Sequence, residues 1–517
     1  MCGILFTNNP SISKERFLHA LELMKHRGPD APLCYAAHRE FQLGHNRLKI
    51  IDLDERSNQP FYSSDRRYVI VFNGEIYNYK ELIQKHALQM RTSGDTEALL
   101  ELYAMQGPEM LDELNGMFAF VILDTQTDRF FAARDRLGVK PLYISQAGES
   151  VTFASEIAPL VELNGSLRLD PLALRQYRKL RTFFNNHTLY AGIEMFPAGH
   201  YMENGTIQRY WQLPEGAKEP PSDEELRYLI ETAVQYRCIS DVPVGSYLSG
   251  GLDSTLVAGL ALKPHTWTVG FKDRNEFEWG QLAAQKFNSV HSEVIIDKEE
   301  FVSLASFMIK KRREPLSVPN EVLLYKMTQE VKKHNTVVLS GEGADELFFG
   351  YDRIFRWAAT SPWNLEEFTQ LYAYGTHPDP EIIEDAIAPF LHHKKAIDIV
   401  AAFFQIAHLH GLLMRLDYST MLCSVEARTP FIDYRLVERM AGVPFDYRMS
   451  GGIVKAPLKR IFKDLIPKAI LDRPKVGFPV NLDEISLGIS GKTPMDQWLE
   501  FNLSQLTGVS LNIKDIL

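Results

Sequence analysis

Residues 212–225 read QLPEGAKEPPSDEE, a polar run with three prolines, and the hydrophobic rhythm of the 517-residue chain differs on its two sides. Such a segment suits neither a helix interior nor a central strand, so it reads as a linker dividing the chain into units of 1–211 and 212–517. Before it, between Phe41 and about Ser155, short β-rich runs (RYVIVFNG, MFAFVILD, RFFAARD, SVTFAS) alternate with turn-forming residues and two helical stretches. That is the pattern of an α+β sandwich. After it, helical periodicity resumes at ELRYLIETAVQYR. The strand candidates VGSYL, HTWTVGF, SEVIID and TVVLSG then alternate with helical stretches such as STLVAGLAL and EVLLYKMTQEVKKH. This is the βαβ rhythm of a parallel sheet covered by helices. Beyond Tyr351 strand signals fade, which predicts a helical layer added to the second unit.

Composition narrows the class of partner. Lys and Arg number 56 against 66 Asp and Glu, a net charge of −10, so the broad basic field of a nucleic-acid binder is missing and small molecules are expected instead. Cys2, Cys34, Cys238 and Cys423 form no C-x-x-C pair, which argues against a disulfide framework or a thiolate zinc site and suits a reducing cytoplasm. No uninterrupted apolar run reaches the length of a membrane span, and the first residues lack the order of a signal peptide. A cytoplasmic location without membrane contact is therefore expected.

Two sets of motifs carry chemistry. Cys2 follows Met1, and removal of the methionine would leave one residue holding a thiol nucleophile and an α-amine base with a pKa of about 7.7–8.0. Behind it come HRGPD at 26–30, HNRLKIID at 45–52, NGEIYN at 73–78 and SGDTE at 93–97. Taken singly, NGE could be an ordinary turn, Arg47 a surface ion pair and Asp95 a helix cap; their order behind a cysteine gives them a joint meaning. Cys34, Cys238 and Cys423 have no such context and read as small core residues. In the second unit SGGLDS, at 249–254, lies between an apolar strand and a helix start. Backbone amides made approachable by Gly250 and Gly251, the helix dipole, and the hydroxyls of Ser249 and Ser254 suit a pyrophosphate. The run lacks the lysine of a GxxxxGK[ST] loop, so pyrophosphate release is expected rather than γ-phosphoryl transfer. A second acidic loop, SGEGADELFFGY at 340–351, follows the strand candidate TVVL.

The N-terminal motifs resemble a class II glutamine amidotransferase domain and SGGLDS resembles the PP-loop of ATP pyrophosphatases. Together, from MCGI to RPKVGF at 473–478, they resemble the glutamine-hydrolysing asparagine synthetase family. The resemblance implies an N-terminal nucleophile sandwich of αββα layers followed by an α/β PP-loop domain with added C-terminal helices. It implies that Cys2 attacks glutamine, with Asn73 and the Gly74 amide as oxyanion hole, while Arg47, Leu48, Ile51, Glu75 and Asp95 hold the substrate. It places ATP against Leu248, Ser249, Gly250, Gly251, Asp253, Ser254, Val269, Ser340 and Gly341, with Mg²⁺ on Asp253 and Asp345. Glu342 would guide ammonia onto an acyl-adenylate and Lys455 would neutralise charge on the α-phosphate and departing pyrophosphate. The implied products are an amide, AMP, pyrophosphate and glutamate. The enclosed passage for ammonia implied by the family would run by FASEIAPL at 153–160 and MLCSVEARTPFID at 421–433, the latter read as helical.

The sequence departs from the family's pattern at RREPLSVPNEVLLY, 312–325, and at Asp417-Tyr418, where a basic residue usually follows the aspartate. Aspartate is the expected acceptor. Uronic acids of surface polysaccharides or their nucleotide-sugar precursors are the alternative, and a homodimer is left open.

Overall fold

The computed structural model describes residues 2–507 except 166–167, 262–263, 375, 377–378, 475–479 and 491–492, so 475–478 of RPKVGF lie outside the described residues.

Two six-stranded antiparallel sheets make up the first half. One runs in the order Ile193–Met195, Tyr143–Ala147, Ser150–Ala154, Gly3–Thr7, Phe41–Asn46, Cys34–His38. The other runs Thr206–Arg209, His200–Glu203, Arg129–Arg134, Gly116–Asp124, Tyr68–Ile76, Phe61–Tyr62. Period-two side-chain alternation decides what each face packs on. Ile4, Phe6, Val69, Val71, Val121 and Phe153 meet between the sheets. Leu5 faces Phe17 and Leu21 of helix Lys14–Glu22, while Ile70, Phe72 and Phe120 face Leu99 and Leu102 of helix Asp95–Gln106. Both faces of each sheet are covered by apolar layers, which is why runs such as YVIVF are continuously hydrophobic rather than alternating. The layers are αββα, as expected, and the sheets reach back to Gly3 and on to Arg209, beyond the span the β-rich runs marked.

The segment 212–222 has no regular structure and leads into helix Asp223–Arg237, whose N-terminus Ser222 caps by accepting from the Glu225 amide. It lies against the second half: the Lys218 amide donates to the Gly442 carbonyl at 3.0 Å.

The second half holds a five-stranded parallel sheet in the order His291–Ile296, Thr266–Phe271, Val244–Tyr247, Val337–Leu339, Glu426–Arg428. Sequence order therefore reverses between Val244–Tyr247 and Val337–Leu339, and open parallel sheets bind ligands at such a switch point, outside the C-terminal strand ends. SGGLDS and SGEGADELFFGY leave those two strand ends. The fifth strand corrects the helical reading of MLCSVEARTPFID: Glu426–Arg428 pairs in parallel with Val337–Leu339. Only three residues long, it offers no periodicity to read. The added helices are present, with a core of their own around Phe355, Phe368, Ile383 and Phe403. Helix Pro494–Gln505, which no sequence motif marked, buries Trp498 completely, its ring 6.0 Å from that of Phe301.

Ala396–Met421 is continuously helical over 26 residues and holds an 18-residue window of mean hydropathy 1.6, long and apolar enough by composition to cross a membrane. Asp398, Gln405, His408, His410 and Arg415 interrupt its apolar run, so the sequence shows no unbroken one there. Here Val400, Phe403, Leu413 and Leu416 are buried inside the protein, and the helix lies between the two candidate sites.

Candidate active sites

Cys2 enters the first sheet and is buried against the second, where its amide nitrogen donates to Asn73 Oδ1 at 3.1 Å. Asn73 is fully buried; its Nδ2 faces Ser155 Oγ at 3.5 Å, so it presents its carbonyl to Cys2, and a half-turn of the amide would present the donor. Gly74 is needed for the close approach of its strand to the next, because a Cβ there would lie 2.1 Å from the Met117 carbonyl oxygen. Burial pushes the Cys2 thiol up, while a hydrogen bond from the Leu48 amide and the charge of Arg47 pull it down.

Arg47 is a buried residue, not part of a surface ion pair. Its guanidinium donates to the Asp54 carbonyl at 2.6 Å and to Asn58 Oδ1 at 2.8 Å, and to the Asp52 carbonyl, so the loop that follows it fixes its fork. Ile51, half-buried, lies in the same loop, its carbonyl 3.5 Å from the Arg47 guanidinium. Asp95 opens helix Asp95–Gln106 with Gly94 as cap, so it is not the cap itself; its Oδ2 accepts the Ile76 amide at 2.9 Å. Burial pushes the Asp95 carboxyl up to about 6. Glu75 is raised too, by burial and then by Glu426, although Arg428 lies 3.5 Å away. Glu75 Oε2 is buried without a hydrogen-bond partner among the described residues, as a carboxylate shaped to receive an ammonium would be.

Arg27 ties this site to the second half of the chain. Fully buried, it donates through Nε to the Cys2 carbonyl at 3.0 Å, through Nη1 to Glu156 at 3.0 Å and through Nη2 to Asp417 at 2.9 Å. Lys140, also buried, reaches Asp417 at 3.4 Å. Burial opposes ionisation of Glu156, but His26 and Arg27 hold its carboxyl at about 2. Beside them Arg428 binds Glu426 at 2.6 Å and the carbonyls of Arg237 and Ile239 at 2.9 and 2.6 Å. FASEIAPL thus reaches the Cys2 carbonyl through Glu156 and Arg27, and MLCSVEARTPFID reaches Glu75 through Arg428. Asp417 was marked in the sequence only as part of a departure from the family pattern; Arg27, Glu156, Glu426 and Arg428 stood inside quoted stretches without a role of their own, and Lys140 stood in none.

At the switch point of the parallel sheet the loop Leu248–Gly251 turns into helix Leu252–Leu260. Gly250 has φ +72°, and a Cβ would lie 2.3 Å from Trp279 Cβ. Ser249 and Ser254 hydroxyls are 3.0 Å apart, and Ser254 Oγ accepts the Ser249 amide at 3.2 Å, so the loop is held open by its own side chains. Leu248 donates to the Trp267 carbonyl at 2.9 Å, and Val269 is buried on that same strand. Ser340 and Gly341 follow the neighbouring strand, with the Ser340 amide on the Arg428 carbonyl at 2.8 Å. Asp253 and Asp345 converge: each has a carboxylate oxygen 2.5 Å from Lys455 Nζ. Lys455 is buried with φ +56°, and the two carboxylates outweigh its burial and hold it charged well above the usual lysine range. Two hard oxygen donors facing one point fit Mg²⁺ by chemistry.

Glu342 bonds to Arg415 of the long helix at 3.1 Å. Arg415 lines a cavity of about 800 Å³ between the halves, along with Arg312, Glu314, Glu321 and Tyr418. Burial raises Glu314 to about 7, its carboxylate 3.2 Å from the Tyr143 hydroxyl, which also meets that of Tyr418. RREPLSVPNEVLLY and Asp417-Tyr418, the two departures from the family pattern, therefore meet at this cavity.

Residues 1–211 match the family model of a glutamine amidotransferase domain and residues 225–512 that of asparagine synthase. The chain belongs to the glutamine-hydrolysing asparagine synthetase family. Asparagine synthetase [glutamine-hydrolyzing] 1 of Bacillus subtilis is 29% identical over 96% of this chain and 89% of its own length. A Mycobacterium tuberculosis protein provisionally named a glutamine-hydrolysing asparagine synthetase is 32% identical over 93% and 87%. Asparagine synthetase [glutamine-hydrolyzing] 3 of Arabidopsis thaliana is 30% identical over 92% and 78%. As a member of the family the chain is an amide ligase that takes its nitrogen from glutamine. All four cysteines are free; Cys34, Cys238 and Cys423 are half-buried rather than core residues, with Cys238 and Cys423 packed against the edge of the core.

Proposed function

We propose that this chain adenylates a carboxylate with ATP and transfers to it ammonia released from glutamine, with L-aspartate as the acceptor and L-asparagine as the product. The observation that carries the reading is Arg27, which joins the Cys2 backbone to Asp417 and so makes the glutaminase and synthetase halves one buried unit.

In the first half-reaction the Cys2 α-amine takes the thiol proton, the thiolate attacks the carboxamide carbon of glutamine, the amine returns that proton to the departing nitrogen, and ammonia leaves a γ-glutamyl thioester that water then hydrolyses to glutamate. Glu75 and Asp95 as carboxylates would take the α-ammonium of glutamine and Arg47 its α-carboxylate. In the second, an acceptor carboxylate oxygen attacks the α-phosphorus of ATP, pyrophosphate departs, and ammonia displaces AMP from the acyl carbon, losing one proton. Amides of the Ser249–Gly251 turn face the pyrophosphate, Lys455 neutralises the charge that develops on it, and Glu342, held by Arg415, accepts the proton. Mg²⁺ on Asp253 and Asp345 would supply charge neutralisation of the phosphates. Ammonia is mostly protonated in neutral water, so a closed route beside Arg27, Lys140 and Glu426 favours the reactive form.

The cavity supports a second reading. At about 800 Å³ it is of a size that holds whole drug-sized ligands, several times what aspartate fills, and it continues past Arg415 to Arg181 and Arg448. A sugar acid or its nucleotide-linked form fits that space and its arginines. Pyrophosphate release with ATP, Mg²⁺ and glutamine, compared between L-aspartate, uronic acids and nucleotide-linked uronic acids, tests both. Stimulation by aspartate with asparagine formed supports the first reading; stimulation only by sugar acids moves the chain to saccharide amidation; stimulation by none of them overturns both.

A further inference from the structure

Where the linker meets the helical layer, three side chains converge that no step of the amidation uses. Glu215 of the linker faces His392 and His393, which follow the turn Ala388–Phe390, and one ligand atom from each lies within 4.8 Å of the others. Glu215 and His392 are exposed, His393 is half-buried, and all three belong to the lining of the interdomain cavity.

The hydrogen bonds of His392 constrain what lies among them. Its Nδ1 is 2.9 Å from the Pro389 carbonyl oxygen, which only accepts, so Nδ1 carries a proton. In a neutral ring Nε2 then offers a lone pair, yet it stands 2.9 Å from Glu215 Oε1, another acceptor. That distance calls for a proton, on the imidazole or on the carboxyl, or for a metal ion shared by the two atoms. His393, its ring centroid 4.2 Å from that of His392, offers a metal ion a third ligand atom. A ring fixed through its remote nitrogen by a backbone carbonyl is also how histidine ligands are oriented in metal sites.

We propose that Glu215, His392 and His393 bind one divalent transition-metal ion of the zinc class, through one carboxylate oxygen and two imidazole nitrogens, with solvent completing the coordination. The donor set differs from the all-oxygen pair Asp253 and Asp345, so the two sites select different ions. Because Glu215 belongs to the linker and the histidines to the helical layer, the ion ties the two together at the cavity. The proposal stands independently of which carboxylate is the acceptor.

The test is equilibrium dialysis of the full chain carrying Cys2→Ala, which removes the competing N-terminal thiol, against Zn²⁺, with Co²⁺ as a spectroscopic stand-in. One zinc per chain is expected, together with visible cobalt bands. His392→Ala combined with His393→Ala should abolish the bands and weaken zinc at least about tenfold, and Glu215→Gln should weaken it about tenfold. The three positions lie near the surface, so unchanged melting temperatures certify that the variants fold. Unchanged zinc stoichiometry in the double variant overturns the site. Absence of binding to the parent at micromolar zinc overturns it equally and assigns the bridge to a proton.

Discussion

A buried carboxyl that must be charged to work imposes a pH limit, and under the proposed function Asp95 is such a group. Burial raises it to about 6, so the free enzyme loses the carboxylate as pH falls through that value. kcat/KM for glutamine should drop about tenfold per unit below pH 6, and Asp95→Asn should lower it at pH 8 while flattening the profile; a wild-type profile flat from pH 5 to 8 contradicts the role. The same shift has a stability sign: the folded state holds this proton more tightly than the unfolded chain, so Asp95 contributes stability at low pH that is lost as pH rises to about 6. Cys2→Ala should abolish glutamine-dependent amidation and spare the ammonia-dependent reaction, and Asp253→Asn should abolish pyrophosphate release and spare glutaminase; product assays with each nitrogen source check both. Cys2, Asp95, Asp253 and Asp345 were legible because each stands in a short local motif. Arg415 beside Glu342 was not: the partners are 73 residues apart, and neither element's pattern encodes the other.

Elements position these groups through backbone shape. Gly250→Ala should cost about 1–3 kcal/mol for the left-handed backbone alone, besides the clash with Trp279, and should remove pyrophosphate release while leaving glutaminase intact. Thermal melts and separate assays of the two half-reactions read this out; unimpaired pyrophosphate release would mean the loop does not carry the phosphates. The four strands read from sequence in the second half all form: three are buried on both faces and declare themselves as apolar runs, and the edge strand His291–Ile296 alternates, with Val294 and Ile296 buried and Glu293 and Ile295 exposed. Glu426–Arg428 was invisible for another reason: it is short and charged, and its Arg428 binds Glu75 and the carbonyls of Arg237 and Ile239 rather than an apolar layer. The helix Ala396–Met421 was read as helical, but the task of Arg415, Asp417 and Tyr418 on it emerges only from what they touch.

Across the whole molecule, one hydrophobic core runs through both halves, and Arg27, Lys140 and Asp417 lie buried in the seam, Arg27 and Asp417 being 390 positions apart. No sequence pattern reports a contact at that separation. Asp417→Ala leaves two buried cations short of their carboxylate, which should cost about 3–5 kcal/mol, read as a lowered urea midpoint. It should also raise glutamate formed per pyrophosphate above the wild-type ratio, since ammonia escapes a loosened seam; an unchanged ratio would separate the network from coupling. The account's central claim is that nitrogen moves within one chain from glutamine at Cys2 to an acyl-adenylate at the PP-loop. It is tested most directly by supplying [amide-¹⁵N]glutamine, ATP, Mg²⁺ and whichever carboxylate stimulates pyrophosphate release, in excess unlabelled ammonium. The account predicts AMP and pyrophosphate in equal amounts and a product amide that keeps the ¹⁵N. Formation of ADP and phosphate, or an amide labelled only in proportion to the mixed ammonia pool, would contradict it.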